Sequence, residues 1–417
     1  MKELKTLTDE QMKSKKIKKE IGIFPMLSNN NRPLNMPENI EHLANFYEIS
    51  LRFNIITKRV DAIIPHCNFS IINKDRLVVI EFERLAALHG VPKVGMDGWL
   101  LWIADKYRYN PVKEWIQSKP WDGVVRFDAF ADTIKAANNE LKNILLKRWM
   151  IGAVAVAYIE EGGVPHGVLT FTGDGGIGKS SWIKKLVPQE LKLMLCDFDF
   201  DPFNKDNRIE ITSSWISEFG EAGGTHKATN IDALKNFIIK QYDYYRVPYG
   251  RAVTEAPRNT AFIASLNNEK FLRDLTGNRR WWTIQALEMD FEHTFNMQQV
   301  WAEIEHYFLS GIQYHLTKEE MSMLNSSNED FMVVQPLEER LITSYNMEEK
   351  GTRYITCTEI LIELGYEKPT EGEARRLSEI LKKMKVEKGT GRNRRSYHMP
   401  QCNNIKNLFS HFSNQYY

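Results

Sequence analysis

Gly167-Val-Leu-Thr-Phe-Thr-Gly173-Asp-Gly-Gly-Ile-Gly178-Lys179-Ser180 decides how this chain is read. Residues 167–172 are apolar and β-branched, the mark of a buried strand. They run into G-x-x-x-x-G-K-[ST], and an amphipathic stretch at 181–186 follows, so the motif stands between a strand and a helix, as a phosphate-binding loop requires. Gly173, Gly175, Gly176 and Gly178 let backbone N–H groups turn inward on phosphates. Lys179 reaches the β and γ phosphates, and Ser180 offers a hydroxyl to Mg²⁺. Ser181, next in line at the helix start, belongs with the same nucleotide contacts. ATP and Mg²⁺ are the expected ligands.

Working outward, further strand-like runs at 192–197, 213–218, 260–267 and 281–284 alternate with helical patterns, which predicts a parallel α/β core across 165–315. A phosphate loop needs a carboxylate on a neighbouring strand to hold Mg²⁺ or polarise water. Trp215-Ile-Ser-Glu218-Phe-Gly-Glu221 supplies two, 39 and 42 residues after Lys179. Glu218 ends the strand and is the first choice, while Glu221 is either its partner or a solvated loop acid. Asp197 and Asp199 near another strand end compete weakly. Asn267 ends the 260–267 strand, where an amide can orient the attacking water. Thr276-Gly-Asn-Arg279-Arg280-Trp-Trp puts two arginines in a turn before a strand, suited to stabilising transferring phosphate in the same or a neighbouring subunit.

Between Glu221 and Asn267, basic residues interleave with tyrosines. Lys235, Arg246, Tyr249, Arg251 and Arg258 suit a hairpin that tracks a nucleic-acid backbone, with a tyrosine-rich structural turn as the bland alternative.

The whole chain is 417 residues, 42% hydrophobic and 26% charged, which excludes disordered, collagenous and coiled-coil classes. Its 55 Lys+Arg against 54 Asp+Glu leave +1, so nucleic-acid affinity has to come from local patches. Cys67, Cys196, Cys357 and Cys402 lack metal-ligand spacing and read as buried thiols in a reducing compartment. The apolar run 149–158 is about half of the ~20 residues that cross a bilayer. A soluble, cytoplasmic protein without a membrane partner is expected.

Five segments are expected: a flexible basic arm at 1–36, a helical N-terminal region at 37–164, the P-loop core at 165–315, a helical linker at 316–352, and a C-terminal domain at 353–417. The last reads helix, turn, helix and glycine-tipped hairpin, the order of a winged helix. Across 371–398 nine Lys/Arg face four Glu, a local +5. Arg375, Arg376, Lys382, Arg392, Arg394 and Arg395 are the expected duplex-DNA phosphate contacts.

In their order these motifs resemble the virulence-associated E (VapE) proteins of phages and mobile elements, related to superfamily 3 and primase-associated helicases within the AAA+ ATPases. The resemblance spans about 109–284. It is carried by Asn110-Pro-Val-Lys-Glu-Trp, Trp121-Asp-Gly-Val-Val-Arg-Phe, the phosphate loop, the Trp215–Glu221 motif, Asp243-Tyr-Tyr-Arg-Val-Pro-Tyr-Gly-Arg and Phe271-Leu-Arg-Asp-Leu-Thr-Gly-Asn-Arg-Arg-Trp. The resemblance implies an α/β, AAA+-like ATPase core that hydrolyses ATP as a homo-hexameric ring and moves along single-stranded DNA during replication of the element. By position, Lys179 and Ser180 match the Walker A pair, Glu218 the Walker B acid, Asn267 the sensor, and Arg279 or Arg280 the arginine finger. The chain departs from the family at Ser265-Leu266, where relatives often carry two threonines. Its first 110 residues are too short and too helical for the primase domain many relatives carry, so primase activity is not claimed, and a separate primase is kept as a candidate partner. A P-loop kinase and a nucleotide-gated DNA-binding regulator are the alternatives. The +5 tail and the position of the arginines favour the translocase.

Overall fold

The computed structural model describes residues 21–65, 67, 69–163, 166–191, 193–198, 204–220, 234, 236–245, 254–267, 271–272, 278–332, 336–347, 349–390 and 394–402. These fall into two compact units, one comprising the residues up to 267 with 278–329, the other 271–272 with those from 330 to 402. Among the described residues no helix is long and apolar enough to cross a membrane.

Residues 21–109 hold an apolar cluster of their own, with Ile40, Leu43, Phe82 and Ile103 sealed from solvent. Helices Pro37–Phe46, Lys74–Leu88 and Met96–Lys106 surround a small sheet of β1 (Ser50–Asn54), β2 (Arg59–Ile63) and β3 (Arg108–Tyr109), in the order β2-β1-β3. The sheet corrects the expectation of a helical region here, which named several short helices and no strand. Its hairpin is made locally: the Asn54 carboxamide oxygen accepts from the Ile56 and Thr57 N–H groups at 3.0 Å, and Lys58 takes a left-handed φ of 58°. The flexible-arm expectation also needs correction over 21–36. Ile21 and Phe24 are buried against the cluster, and Leu27 bridges Pro33, because two apolar anchors suffice to pin an otherwise polar segment. Residues 1–20 lie outside the described residues.

The central element is a six-stranded sheet of β4 (Ile134–Ala136), β5 (Val168–Thr172), β6 (Met194–Phe198), β7 (Ile216–Phe219), β10 (Ala261–Leu266) and β11 (Trp281–Met289). Its order is β4-β11-β5-β10-β7-β6; β4 is antiparallel to β11, and the remaining neighbours are parallel. β8 (Tyr242–Tyr245) and β9 (Thr254–Pro257) form a separate hairpin. β5, β7 and β10 are buried at every position, as continuous apolar runs covered on both faces should be.

Helix Asn139–Tyr158 starts where the Asn138 side chain accepts from the Leu141 N–H, and it packs against the sheet and against helix Met297–Leu309. Tryptophans rivet these layers together. The indole N–H groups of Trp149, Trp215 and Trp301 donate to the Phe262, Ala153 and Leu186 carbonyls at 2.7–2.8 Å. Each ring thus buries a large apolar area, of order 150–250 Å², without stranding its polar atom.

The expected linker at 316–352 is divided between the units. Leu324 of helix Lys318–Glu329 joins the core around the sheet, whereas Leu337 and Leu341 of helix Pro336–Ser344 join a second core. That second core, with Ile360, Leu377, Leu381 and Tyr397, gathers helices Cys357–Glu363 and Glu371–Lys383 beneath the antiparallel pair β12 (Arg353–Thr356) and β13 (Ser396–Met399). Both helices begin with reciprocal capping boxes, Thr356 with Glu359 and Thr370 with Glu373. The chain returns through a hairpin closed by Gly389 N–H to Ser396 O at 2.9 Å and His398 N–H to Glu387 O at 2.8 Å. Of the cysteines, Cys402 is buried, Cys357 half-buried and Cys67 exposed, which corrects the expectation of four buried thiols. The Cys196 side chain lies outside what is described.

Candidate active site

β5 ends at Thr172 and the chain turns at once. A Cβ at Gly173, where φ is 138°, would collide with the Ala286 carbonyl of the neighbouring strand, so only glycine lets β11 pass this close. Gly178, with φ 92°, caps helix Lys179–Lys184, which Trp182 and Ile183 anchor in the core.

Lys179 is 6% exposed, and its ammonium donates to the carbonyls of Gly173 and Asp174 and to the Asn267 carboxamide oxygen, each at 2.8 Å. Asn267 directly follows β10, the strand between β5 and β7. One strand further on, Glu218 is 1% exposed in β7 and accepts from the Ser265 hydroxyl at 2.8 Å. The same hydroxyl lies 3.1 Å from that of Ser180. Three adjacent strands thus deliver one polar chain, Ser180–Ser265–Glu218, beside the Lys179–Asn267 pair. Ser265 is the residue that the motif reading passed over, noting it as a departure from the family pattern. The available signal was its position two residues before Asn267, on the same face of the strand.

A hydroxyl and a carboxylate that share one hydrogen-bonding neighbour form an all-oxygen donor set, which fits a hard cation such as Mg²⁺. Ser180 and Glu218 are the residues that would hold it. Gly175, Gly176, Ser180 and Ser181 are all exposed, so the loop presents its outer surface to the medium.

Arg279 and Arg280 belong to the turn Asn278–Arg280, which the Asn328 carboxamide holds by donating to the Asn278 and Trp281 carbonyls. Trp281 pairs with Val168, at the start of β5, whereas the phosphate loop leaves its end. A five-residue strand separates the two by about 15 Å at ~3.3 Å per residue. These arginines therefore do not reach a phosphate on their own loop.

Arg258 is not a nucleic-acid contact. It is fully buried, donates to both carboxylate oxygens of Asp243 and, at 2.9 Å, to the Phe237 carbonyl, and its guanidinium stands 4.4 Å from the Phe237 ring centre. An arginine sealed in this way holds the β8–β9 hairpin against the core and presents nothing to solvent. Lys235, Arg246, Tyr249 and Arg251, like Glu221, Asp199 and Arg392, lie outside the described residues, as does the side chain of Asp197. In the second unit Arg375 lies on the outer side of helix Glu371–Lys383 with Arg376 and Lys382, and Arg394 and Arg395 stand at the hairpin, while Leu377, Ile380 and Leu381 turn inward from the same helix.

The family model for a virulence-associated protein E-like domain matches residues 116–333, just over half of the chain. Among solved structures, the A-form apo structure of the NrS-1 C-terminal region is similar at 16% identity over 72% of this chain and 73% of that one, with a TM-score of 0.34. A second apo structure of the same region is similar at 14% identity over 84% and 86% of the two chains, also at 0.34. No curated protein matches.

Proposed function

This chain belongs to the virulence-associated protein E-like family, and from that premise we propose that it is an ATP-dependent DNA translocase or helicase acting in replication of a phage or mobile element. The observation that carries the reading is the polar chain Ser180–Ser265–Glu218 beside Lys179–Asn267, drawn from three neighbouring strands around a phosphate-loop motif. Lys179 binds the β and γ phosphates. Glu218 takes the proton of the attacking water, and Asn267 orients that water. Ser180 and Glu218 hold Mg²⁺, which when bound neutralises charge on the phosphate oxygens. Glu221 is the alternative carboxylate. The core is then an AAA+-type ATPase domain and the second unit a winged-helix-like domain on duplex DNA.

Arg279 and Arg280 complete the site in trans, one subunit's turn facing the next subunit's loop, and this supports a closed homo-oligomeric ring, taken as a hexamer, around single-stranded DNA. A kinase needs its extra arginines over the phosphates, and these two stand at the other end of the sheet. Lys235, Arg246, Tyr249 and Arg251 remain proposed contacts to the strand in the ring, and a separate primase is the proposed partner.

The test is ATP hydrolysis with and without single-stranded DNA. The translocase reading expects strong stimulation; an unchanged rate favours a nucleotide-gated regulator. Mixing an Arg279→Ala/Arg280→Ala variant with Lys179→Ala should restore partial activity once subunit exchange is demonstrated, and no recovery would sink the in-trans role.

A further inference from the structure

β11 continues past its pairing with β5 into a tight turn that presents Phe291 against the phosphate loop. A Cβ at Gly178 would run into Cδ1 of Phe291 and lie 3.0 Å from its Cε1, so one edge of the ring rests on the last glycine of the loop. The ring is nevertheless 37% exposed. The turn beneath it is fixed from several sides. The Asp290 N–H donates to the Thr133 carbonyl at 2.8 Å, and the Asp290 carboxylate accepts from the Glu292 N–H at 3.0 Å. His293 is wedged among Phe130, Phe295 and Trp182, and Lys185 donates to its carbonyl. An aromatic ring left a third exposed on a turn this well held is preorganised to meet something.

The sheet order gives the direction. Asn267 and Glu218, the groups assigned to the γ-phosphate end, lie on the β10 and β7 side of β5; Phe291 follows β11, on the opposite side. A nucleoside triphosphate whose terminal phosphate points toward β7 runs its ribose and base back across the loop toward β11. We propose that Phe291 is the stacking platform for the base of the bound nucleotide, a purine by preference because the larger π-face covers more of the ring. The inference rests on the nucleotide-hydrolase reading above and adds the residue that distinguishes a nucleotide from a bare polyphosphate.

The experiment measures equilibrium binding of ATP and of inorganic tripolyphosphate, each with Mg²⁺, to the full chain and to Phe291→Ala, Phe291→Leu and Phe291→Tyr. Wild type should bind ATP more tightly than tripolyphosphate. Phe291→Ala should weaken ATP about tenfold, in line with alanine replacement of stacked aromatics, and leave tripolyphosphate within about twofold. Phe291→Leu, which keeps apolar packing on Gly178, should show the same selective loss in smaller degree. Phe291→Tyr should retain ATP binding. Equal loss of both probes, or no loss of ATP, overturns the platform, as does a wild type that binds the two probes equally; in each case the phosphate site stands. A wild type that binds neither brings down the nucleotide reading and the platform together.

Discussion

Lys179 in the phosphate loop is 6% exposed and directs its ammonium to Gly173, Asp174 and Asn267, each at 2.8 Å. Arg375 on the Glu371–Lys383 helix has a side chain 79% exposed and meets Glu371 at 3.9 Å. Both are cations proposed to face phosphate, yet one is locked and the other loose. Burial lowers the local dielectric, so a charge there acts strongly in one fixed geometry, as phosphoryl transfer requires. An exposed charge is screened and mobile, which suits contacts made to any phosphate along a duplex and added one by one. The first region should therefore respond to substitution in an all-or-none manner and the second by increments.

The largest effect tests the locked region. Lys179→Ala should reduce ATP hydrolysis by about 10³- to 10⁵-fold, the range for removing a charge that stabilises the transferring phosphate. Glu218→Gln should still bind ATP and fail to hydrolyse it. Wild-type turnover by Lys179→Ala would end the contrast at its strongest point. If Glu221→Gln, and not Glu218→Gln, trapped bound ATP, the carboxylate would be reassigned.

Arg258 comes next, because it moves a basic residue from the second class to the first. Arg258→Ala should destabilise the protein by about 3–5 kcal/mol in urea unfolding, since the buried Asp243 loses its two-point guanidinium partner, and the double replacement Arg258→Met/Asp243→Leu should recover most of that deficit. A surface phosphate contact would cost under about 0.5 kcal/mol on replacement.

Increments are expected from the second unit. Arg394→Ala/Arg395→Ala in the full chain should flatten the slope of log affinity for duplex DNA against log salt by up to about 1.8 units, ~0.9 for each phosphate no longer neutralised. All duplexes should weaken alike, because phosphate contacts carry no base information. An unchanged slope would make these arginines merely solvated.

Asp122 gives the smallest effect and lies between the classes, exposed yet held by two-point contact with Arg126. The Arg126 pairing, followed by the Val124 N–H, holds its carboxyl down at about 2. The folded value lies below the ordinary one, so the stabilisation is complete above about pH 4 and disappears as pH falls through 2. Asp122→Asn should lower Tm slightly at pH 7, and the difference from wild type should close near pH 2. A gap that persists there would mean the turn depends on packing and not on the charge.

What was legible in the sequence follows the range of the interactions. The strand before Gly173, the helix after Gly178 and the capped helices at Thr356 and Thr370 are set by neighbours within a few residues, and they stand close to where spacing and turn chemistry placed them. The β1–β2 hairpin escapes a periodicity reading because each strand is only five residues long, so the alternating pairs Leu51 and Phe53, Val60 and Ala62 are too brief to stand out beside the three- and four-residue spacing of the neighbouring helices. Arg258 escapes it because an arginine beside tyrosines looks the same whether its partner is a DNA phosphate or Asp243, 15 residues away.

By itself the sequence determined the phosphate-loop motif, the alternation of strands and helices, the basic tail and the family, all of which depend on local periodicity, spacing and residue type. Tertiary structure alone decided that Ser265 links Ser180 to Glu218 across separations of 85 and 47 residues, that Arg279 and Arg280 stand at the far end of the sheet from their own loop, and that Phe291 rests on Gly178. The reason is that strand order and burial are properties of the whole packed sheet. Residues distant in the chain become neighbours only when the strands between them find their places, and no local pattern encodes that order.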